Sequence, residues 1–189
     1  MTDNFTSDSL KKILKGRILY LIGMMGSGKS ATGPFIAKYL DYRFVDQDRL
    51  IEQVAKKSIA EFFNEEGEKE FRDTETKVLK EIGTHHSLVV ATGGGVVIRS
   101  ENWGILHQGI VIWINPSTEC LVARLQSETN QRPLLSKNNL LLTLEDLIIK
   151  REPLYSEADL QIPVENETPQ EVAAEVCEKL SSILINQVD

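Results

Sequence analysis

Five short apolar runs punctuate the 189-residue chain: RILYLI over 17–22, YRFVD over 42–46, SLVVAT over 87–92, GIVIWIN over 109–115 and LQIPV over 160–164. Three of them are nearly continuous in apolar residues rather than alternating, as in parallel strands covered on both faces. Between them the apolar positions switch to helical spacing. Phe71, Val78 and Ile82 share one helix face, and Leu144, Leu147 and Ile148 mark another inward face. Strands alternating with helices predict βαβ units in a layered α/β domain with a parallel sheet. Residues 16–189 read as one domain. The preceding stretch, 1–15, reads as an arm that is partly disordered, with a single amphipathic turn over 10–14.

Two stretches break the alternation. Residues 47–84 read as helices inserted between the second and third strands. Within them SIAEFF opens on a capping box formed by Ser58 and Glu61. Residues 126–139, QSETNQRPLLSKNN, are polar, contain a proline and have no period. A loop of that length inside a compact domain predicts a lid.

Hydrophobic residues make up 41% of the chain and charged residues 26%, an ordinary globular mixture. The net charge of −7 sets aside nucleic acid and anionic membrane surfaces as main partners, because phosphate backbones attract basic faces. No run of 18 apolar residues suits a membrane span, and the N-terminus lacks an apolar signal core. Cys120 and Cys177 lie far apart and form no C-x-x-C, so two reduced thiols in a cytoplasmic protein are expected. A monomer is expected, since no sustained heptad appears. His85 and His86 are adjacent, point in different directions, and read as surface residues; Trp103 and Trp113 read as core.

The sharpest local signal is GMMGSGKS over 23–30. Gly23, Gly28, Lys29 and Ser30 fit G-x-x-x-x-G-K-[ST], the phosphate-cradling loop. Its setting is the one the chemistry needs. RILYLI precedes it, and SATGPFIAKYL follows with helix-like apolar positions at Phe35, Ile36, Ala37 and Leu40, Gly33 and Pro34 falling in the expected first turn.

Three charged or glycine-rich groups accompany the loop. In FVDQD, Asp46 closes the second strand and Asp48 follows. These carboxylates suit a metal shell and an acceptor hydroxyl, or else a solvated turn in which Asp48 caps the helix from Arg49. In EFRDTE, Arg72 and Glu75 share a helix face. They form either an exposed pair worth a few tenths of a kcal/mol or a carboxylate that orients Arg72 toward an acidic substrate. In ATGGGVV, Gly93, Gly94 and Gly95 permit close backbone approach to a ligand. Arg132 lies in the expected lid and Arg151 in KREPLYSEAD. With Lys29 and Arg72 they supply cations for phosphates and a carboxylate, for which the arginine fork is suited.

Taken in order and spacing, GMMGSGKS, FVDQD, FRDTE, ATGGGVV, RPLL and REPLYSEAD resemble the shikimate kinases, over about residues 16–182. The resemblance implies a nucleoside-monophosphate-kinase-like P-loop fold, with a five-stranded parallel sheet in the order 2-3-1-4-5. It implies transfer of the ATP γ-phosphoryl group to the 3-hydroxyl of shikimate, on the way to chorismate and the aromatic amino acids. By the resemblance Gly26, Ser27, Gly28, Lys29, Ser30 and Ala31 line the phosphates. Ser30 would ligate Mg2+, with Asp46 acting through its water shell. Asp48 would orient or deprotonate the acceptor hydroxyl. Arg72 and Arg151 would clamp the acceptor carboxylate, with Gly93, Gly94 and Gly95 alongside and Glu75 in support. Arg132 would close on the transferring phosphate, and Arg124 and Pro169 would flank the adenine. Gln131 stands where the family commonly has glycine. A gluconate- or adenylylsulfate-type kinase on the same fold is the nearest alternative, and a non-catalytic nucleotide-binding module another. Intact Lys29, Ser30, Asp48 and Arg132 weigh against the second, and the lack of an N-K-x-D stretch weighs against a GTPase.

Overall fold

A computed structural model of the chain describes residues 7–127 and 140–185. Five strands, β1 (Leu19–Ile22), β2 (Arg43–Asp46), β3 (Leu88–Ala91), β4 (Ile110–Pro116) and β5 (Leu160–Val164), form one sheet in the order β2-β3-β1-β4-β5. Every pairing is parallel; Leu19 stands opposite Val89 on one side and Ile110 on the other. The expected strand order is therefore the observed one. The near-continuous apolar runs have the expected cause. Leu19 and Leu21 face one core, and Tyr20 and Ile22 face the other. The two edge strands differ: β2 has no fully buried residue, and β5 alternates in burial, with Pro163 where a missing N–H costs no ladder bond to a further strand.

One face of the sheet is covered by α1 (Ser7–Leu14), α2 (Lys29–Leu40) and α8 (Pro169–Ile185). The other carries α5 (Ser100–Leu106), α6 (Thr118–Ser127), α7 (Leu140–Tyr155) and the end of α4 (Ile59–Ile82). Together with α3 (Gln47–Ala55), α4 makes a small satellite core of Ile51, Phe62 and Phe71 beside β2. Trp103 and Trp113 are buried, as expected.

Three local expectations differ from the structure. The stretch 7–14 is a helix packed onto the domain rather than a frayed arm. Leu10 and Leu14 are buried in the main core, each worth roughly 1.5–3 kcal/mol of apolar transfer. Its two leucines are one helical turn apart, too short a pattern to stand out before the partner face is known. Gly33 and Pro34 lie past the first turn of α2, because the helix already begins at Lys29. Pro34 costs only one intrahelical bond, to the carbonyl of exposed Ser30. A Cβ at Gly33 would stand 2.2 Å from the Phe44 ring, so the glycine lets α2 lie close on β2. Finally, the cap of α3 is Asp46, not Asp48: the Asp46 carboxylate accepts from Arg49 N at 3.2 Å. The capping box of Ser58 and Glu61 is present as expected.

Candidate active site

The site lies at the carboxyl ends of the strands, where parallel α/β sheets leave a crevice. β1 runs directly into the glycine-rich loop. Gly26 and Gly28 have φ of 76° and 98°, conformations that turn successive backbone N–H groups into one concavity. Gly28 then caps α2. The loop, Asp48, Thr92, Gly94, Arg124, Glu167 and Pro169 surround a cleft of about 380 Å3. Of the expected nucleotide set, Gly26, Ser27, Gly28, Lys29, Ser30, Ala31, Arg124 and Pro169 share one cavity, and Arg132 lies outside the described residues. The Lys29 ammonium is buried and donates to Gly23 O at 2.8 Å, Met24 O at 2.9 Å and Ser27 Oγ at 3.1 Å. Arg124 crosses the rim, its guanidinium donating to Ser27 O at 3.2 Å. α8 begins at Pro169 and presents its N-terminus to the same cleft.

The acceptor-side residues gather beside it. Arg72 is 7% exposed and Glu75 0%; Arg72 Nη1 donates to Glu75 Oε2 at 2.7 Å. The pair is therefore buried, which removes the reading of an exposed ion pair. The guanidinium also lies 5.1 Å from the Phe71 ring centroid, and Glu68 stands 3.5 Å from Nη2. Burial pushes the Glu75 carboxyl above the usual carboxylate range; Arg72 pulls it back only in part, and nearby Asp48 adds to the rise.

The triple glycine sits against this pair. A Cβ at Gly95 would be 2.4 Å from both terminal nitrogens of Arg72. At Gly93 it would be 2.6 Å from Glu75 Oε1 and 2.9 Å from Asp48 Oδ1. A Cβ at Gly94 would stand 3.2 Å from Met25 N, so the glycine loop rests directly on the phosphate loop. Three glycines are needed because each touches a different neighbour. From α7, Arg151 Nη1 and the Tyr155 hydroxyl both donate to Gly94 O, at 3.2 and 2.6 Å. Burial pushes the Tyr155 phenol up to about 12, so it remains a donor at neutral pH. Arg72 Nε and Glu75 Oε1 are buried without a protein hydrogen-bond partner, which leaves both atoms able to meet a ligand or water.

Arg132 and residues 128–139 of the expected lid lie outside the described residues. Gln47 and Tyr155 are site residues the sequence reading missed. Tyr155 was within reach, since REPLYSEAD places it one helical turn after Arg151. Gln47 stands between two carboxylates and reads as one more polar turn residue. His85 and His86 are exposed, as expected.

Among the described residues no group of three or more His, Cys, Asp and Glu side chains is placed to hold an ion. The cleft is lined by Ser30 and Asp48, whereas Asp46, the expected partner of the metal's water shell, is not among its lining residues and its Oδ1 accepts the capping bond from Arg49 N. Few hard oxygen donors beside a phosphate cradle fit Mg2+, which keeps several waters and takes phosphate oxygens as ligands.

Comparison with known proteins agrees with this geometry. The family model described as Shikimate kinase matches residues 25–181. A Prochlorococcus marinus protein named Shikimate kinase is 58% identical over 190 residues, covering 100% of both chains. The solved structure of shikimate kinase from Acinetobacter baumannii in complex with shikimate is 35% identical. It superposes with a TM-score of 0.86, covering 95% of this chain and 99% of that one. A gluconokinase from Sinorhizobium meliloti shares the fold alone, at 17% identity and a TM-score of 0.58, over 92% of this chain and 96% of that one. With a family model spanning most of its length and a relative matching from end to end, the chain belongs to the shikimate kinase family.

Proposed function

We propose that this chain transfers the γ-phosphoryl group of ATP to the 3-hydroxyl of shikimate, giving shikimate 3-phosphate and ADP. The observation that carries the reading is the position of Asp48. Its carboxylate lines the phosphate cleft and also abuts Gly93 next to Glu75, at the border of the two half-sites. A hydroxyl held by the acceptor cluster would meet Asp48 on one side and the terminal phosphate on the other.

Phosphoryl transfer asks chiefly for positioning and charge neutralisation. The backbone cradle of 26–31 would hold the β- and γ-phosphates, and Lys29 would exchange one loop carbonyl for a phosphate oxygen. Ser30 and the surroundings of Asp46 would hold Mg2+, whose charge would offset that of the phosphates. Arg72 would receive the shikimate carboxylate, its orientation fixed by Glu75 and the Phe71 ring. Arg151 would approach the same carboxylate from α7, while its contact to Gly94 keeps that helix on the glycine loop. Asp48 would orient the 3-hydroxyl and accept its proton. Arg132 would close from the lid on the transferring phosphate, and Arg124 and Pro169 would flank the adenine. One detail departs from the resemblance. The Gly93 N–H donates to Gln47, so backbone donation to the acceptor would fall to Gly94 and Gly95.

The domain is proposed to work as a monomer in the cytoplasm. Cys120 and Cys177 are both free thiols, which suits a reducing compartment. Among the described residues no helix is long and apolar enough to cross a membrane. ADP release with Mg·ATP should rise strongly on adding shikimate and stay at background with gluconate. Equal stimulation by gluconate, or none by shikimate, would remove the acceptor assignment.

A further inference from the structure

We infer that Gln47 is a positioning residue for the acceptor half-site, tying α3, α4 and the glycine loop together through one buried amide. Its side chain is 0% exposed. Nε2 donates to the carbonyl of Glu75 at 3.0 Å, and Oε1 accepts from Gly93 N at 3.2 Å. The partners fix which end of the amide is which, since a carbonyl can only accept and an N–H only donate. Removing an amide from water is costly unless both ends are paired, and here both are.

The choice of partners separates this bridge from ordinary structural glue. Glu75 is the residue that holds Arg72, and Gly93 begins the loop that Arg72 packs against. The two lie 28 and 46 residues from Gln47 in sequence, so no local structure joins them. The capping bond of Asp46 to Arg49 N fixes the start of α3. Gln47 then points into the protein while Asp48 lines the cleft. One side chain thereby sets the spacing between the arginine carrier and the glycine loop. It also ties that spacing to the helix bearing Asp48. Gln47, Glu75 and Gly93 do not themselves line the phosphate cleft, so loss of the bridge should weigh more on the acceptor than on ATP.

The inference rests on the proposed shikimate reading, and the test separates the two. Gln47→Met keeps the length of the side chain and removes both bonds; Gln47→Glu keeps an acceptor for Gly93 N–H and, once ionised, loses the donor to Glu75 O. KM for shikimate should rise roughly tenfold in Gln47→Met, with KM for Mg·ATP within about twofold of wild type. Gln47→Glu should show a smaller rise. Amide exchange read by NMR should find Gly93 N–H protected in wild type and in Gln47→Glu, and faster in Gln47→Met. If Gln47→Met does not fold, wild-type exchange and Gln47→Glu decide. A lowered Tm with unchanged kinetics, a parallel rise in both KM values, or a fast-exchanging Gly93 amide in wild type would overturn the inference. Failure of the shikimate reading would show separately, as a wild-type enzyme without shikimate-dependent turnover.

Discussion

Replacing Gly95 by alanine displaces Arg72 without altering any charged residue and keeps the Gly95 N–H. Gly95 has φ −105° and ψ 4°, a conformation open to alanine, so the backbone adds little strain. The added Cβ would stand 2.4 Å from both terminal nitrogens of Arg72, where ordinary contact begins at 3.4 Å. The guanidinium must therefore retreat by about 1 Å, the scale at which misplaced reacting groups lose up to roughly 100-fold in rate. It cannot retreat freely, because Glu75 holds Nη1 at 2.7 Å and the Phe71 ring lies 5.1 Å away. Overpacking of this kind costs about 1–3 kcal/mol. Spent on the acceptor clamp, that is a loss of roughly 5- to 150-fold in kcat/KM for shikimate. Steady-state kinetics with each substrate varied in turn reads it directly. KM for Mg·ATP should stay near wild type, since Gly95 is not among the residues lining the phosphate cleft. An unchanged kcat/KM for shikimate in a well-folded Gly95→Ala protein would refute the placement of Arg72 in the acceptor site.

Lys29→Met should lower kcat by roughly 100- to 1,000-fold, the cost of removing a buried donor from developing charge, while circular dichroism and Tm show an intact fold. Gly67 interrupts α4 with φ 83° and ψ 172°, and a Cβ there would meet nothing within 4 Å. Gly67→Ala should therefore lower the unfolding free energy in urea by about 1–3 kcal/mol, purely through the backbone. Glu75 has a folded-state pKa raised above its ordinary 4.5, mainly by burial. Its contribution to stability is fully present below the unfolded pKa and is lost as pH rises through the folded one. Glu75→Gln removes that ionisation, so its stability relative to wild type should improve from pH 4 toward pH 7. A gap that widens in favour of wild type over that range would show that Arg72 outweighs burial.

The sheet and the phosphate loop were legible because each rests on a local pattern. Doubly buried strands must be apolar at every position, and a phosphate cradle needs its glycines and lysine at fixed offsets. The order of the strands was not local and came with the family resemblance. Arg72 and Glu75 were visible as a helix-face pair, but their burial depends on β3's loop and α7, far away in sequence. Asp48 lines the cleft, while the cap fell on Asp46, because the helix starts two residues earlier, at Gln47 rather than Arg49. Gln47 was invisible: a polar residue in a polar turn gives no sign that it points inward. Ser7–Leu14 was read as an arm because two leucines acquire meaning only against the face of α2 and α8.

The most direct measurement is 31P NMR of ATP, Mg2+ and shikimate turned over by the enzyme. A single new phosphomonoester, coupled to the proton on carbon 3 and growing in step with ADP, is the expected product. ADP accompanied by inorganic phosphate alone, or a phosphoester on another hydroxyl, would contradict a site in which Asp48 presents the 3-hydroxyl to the phosphate loop.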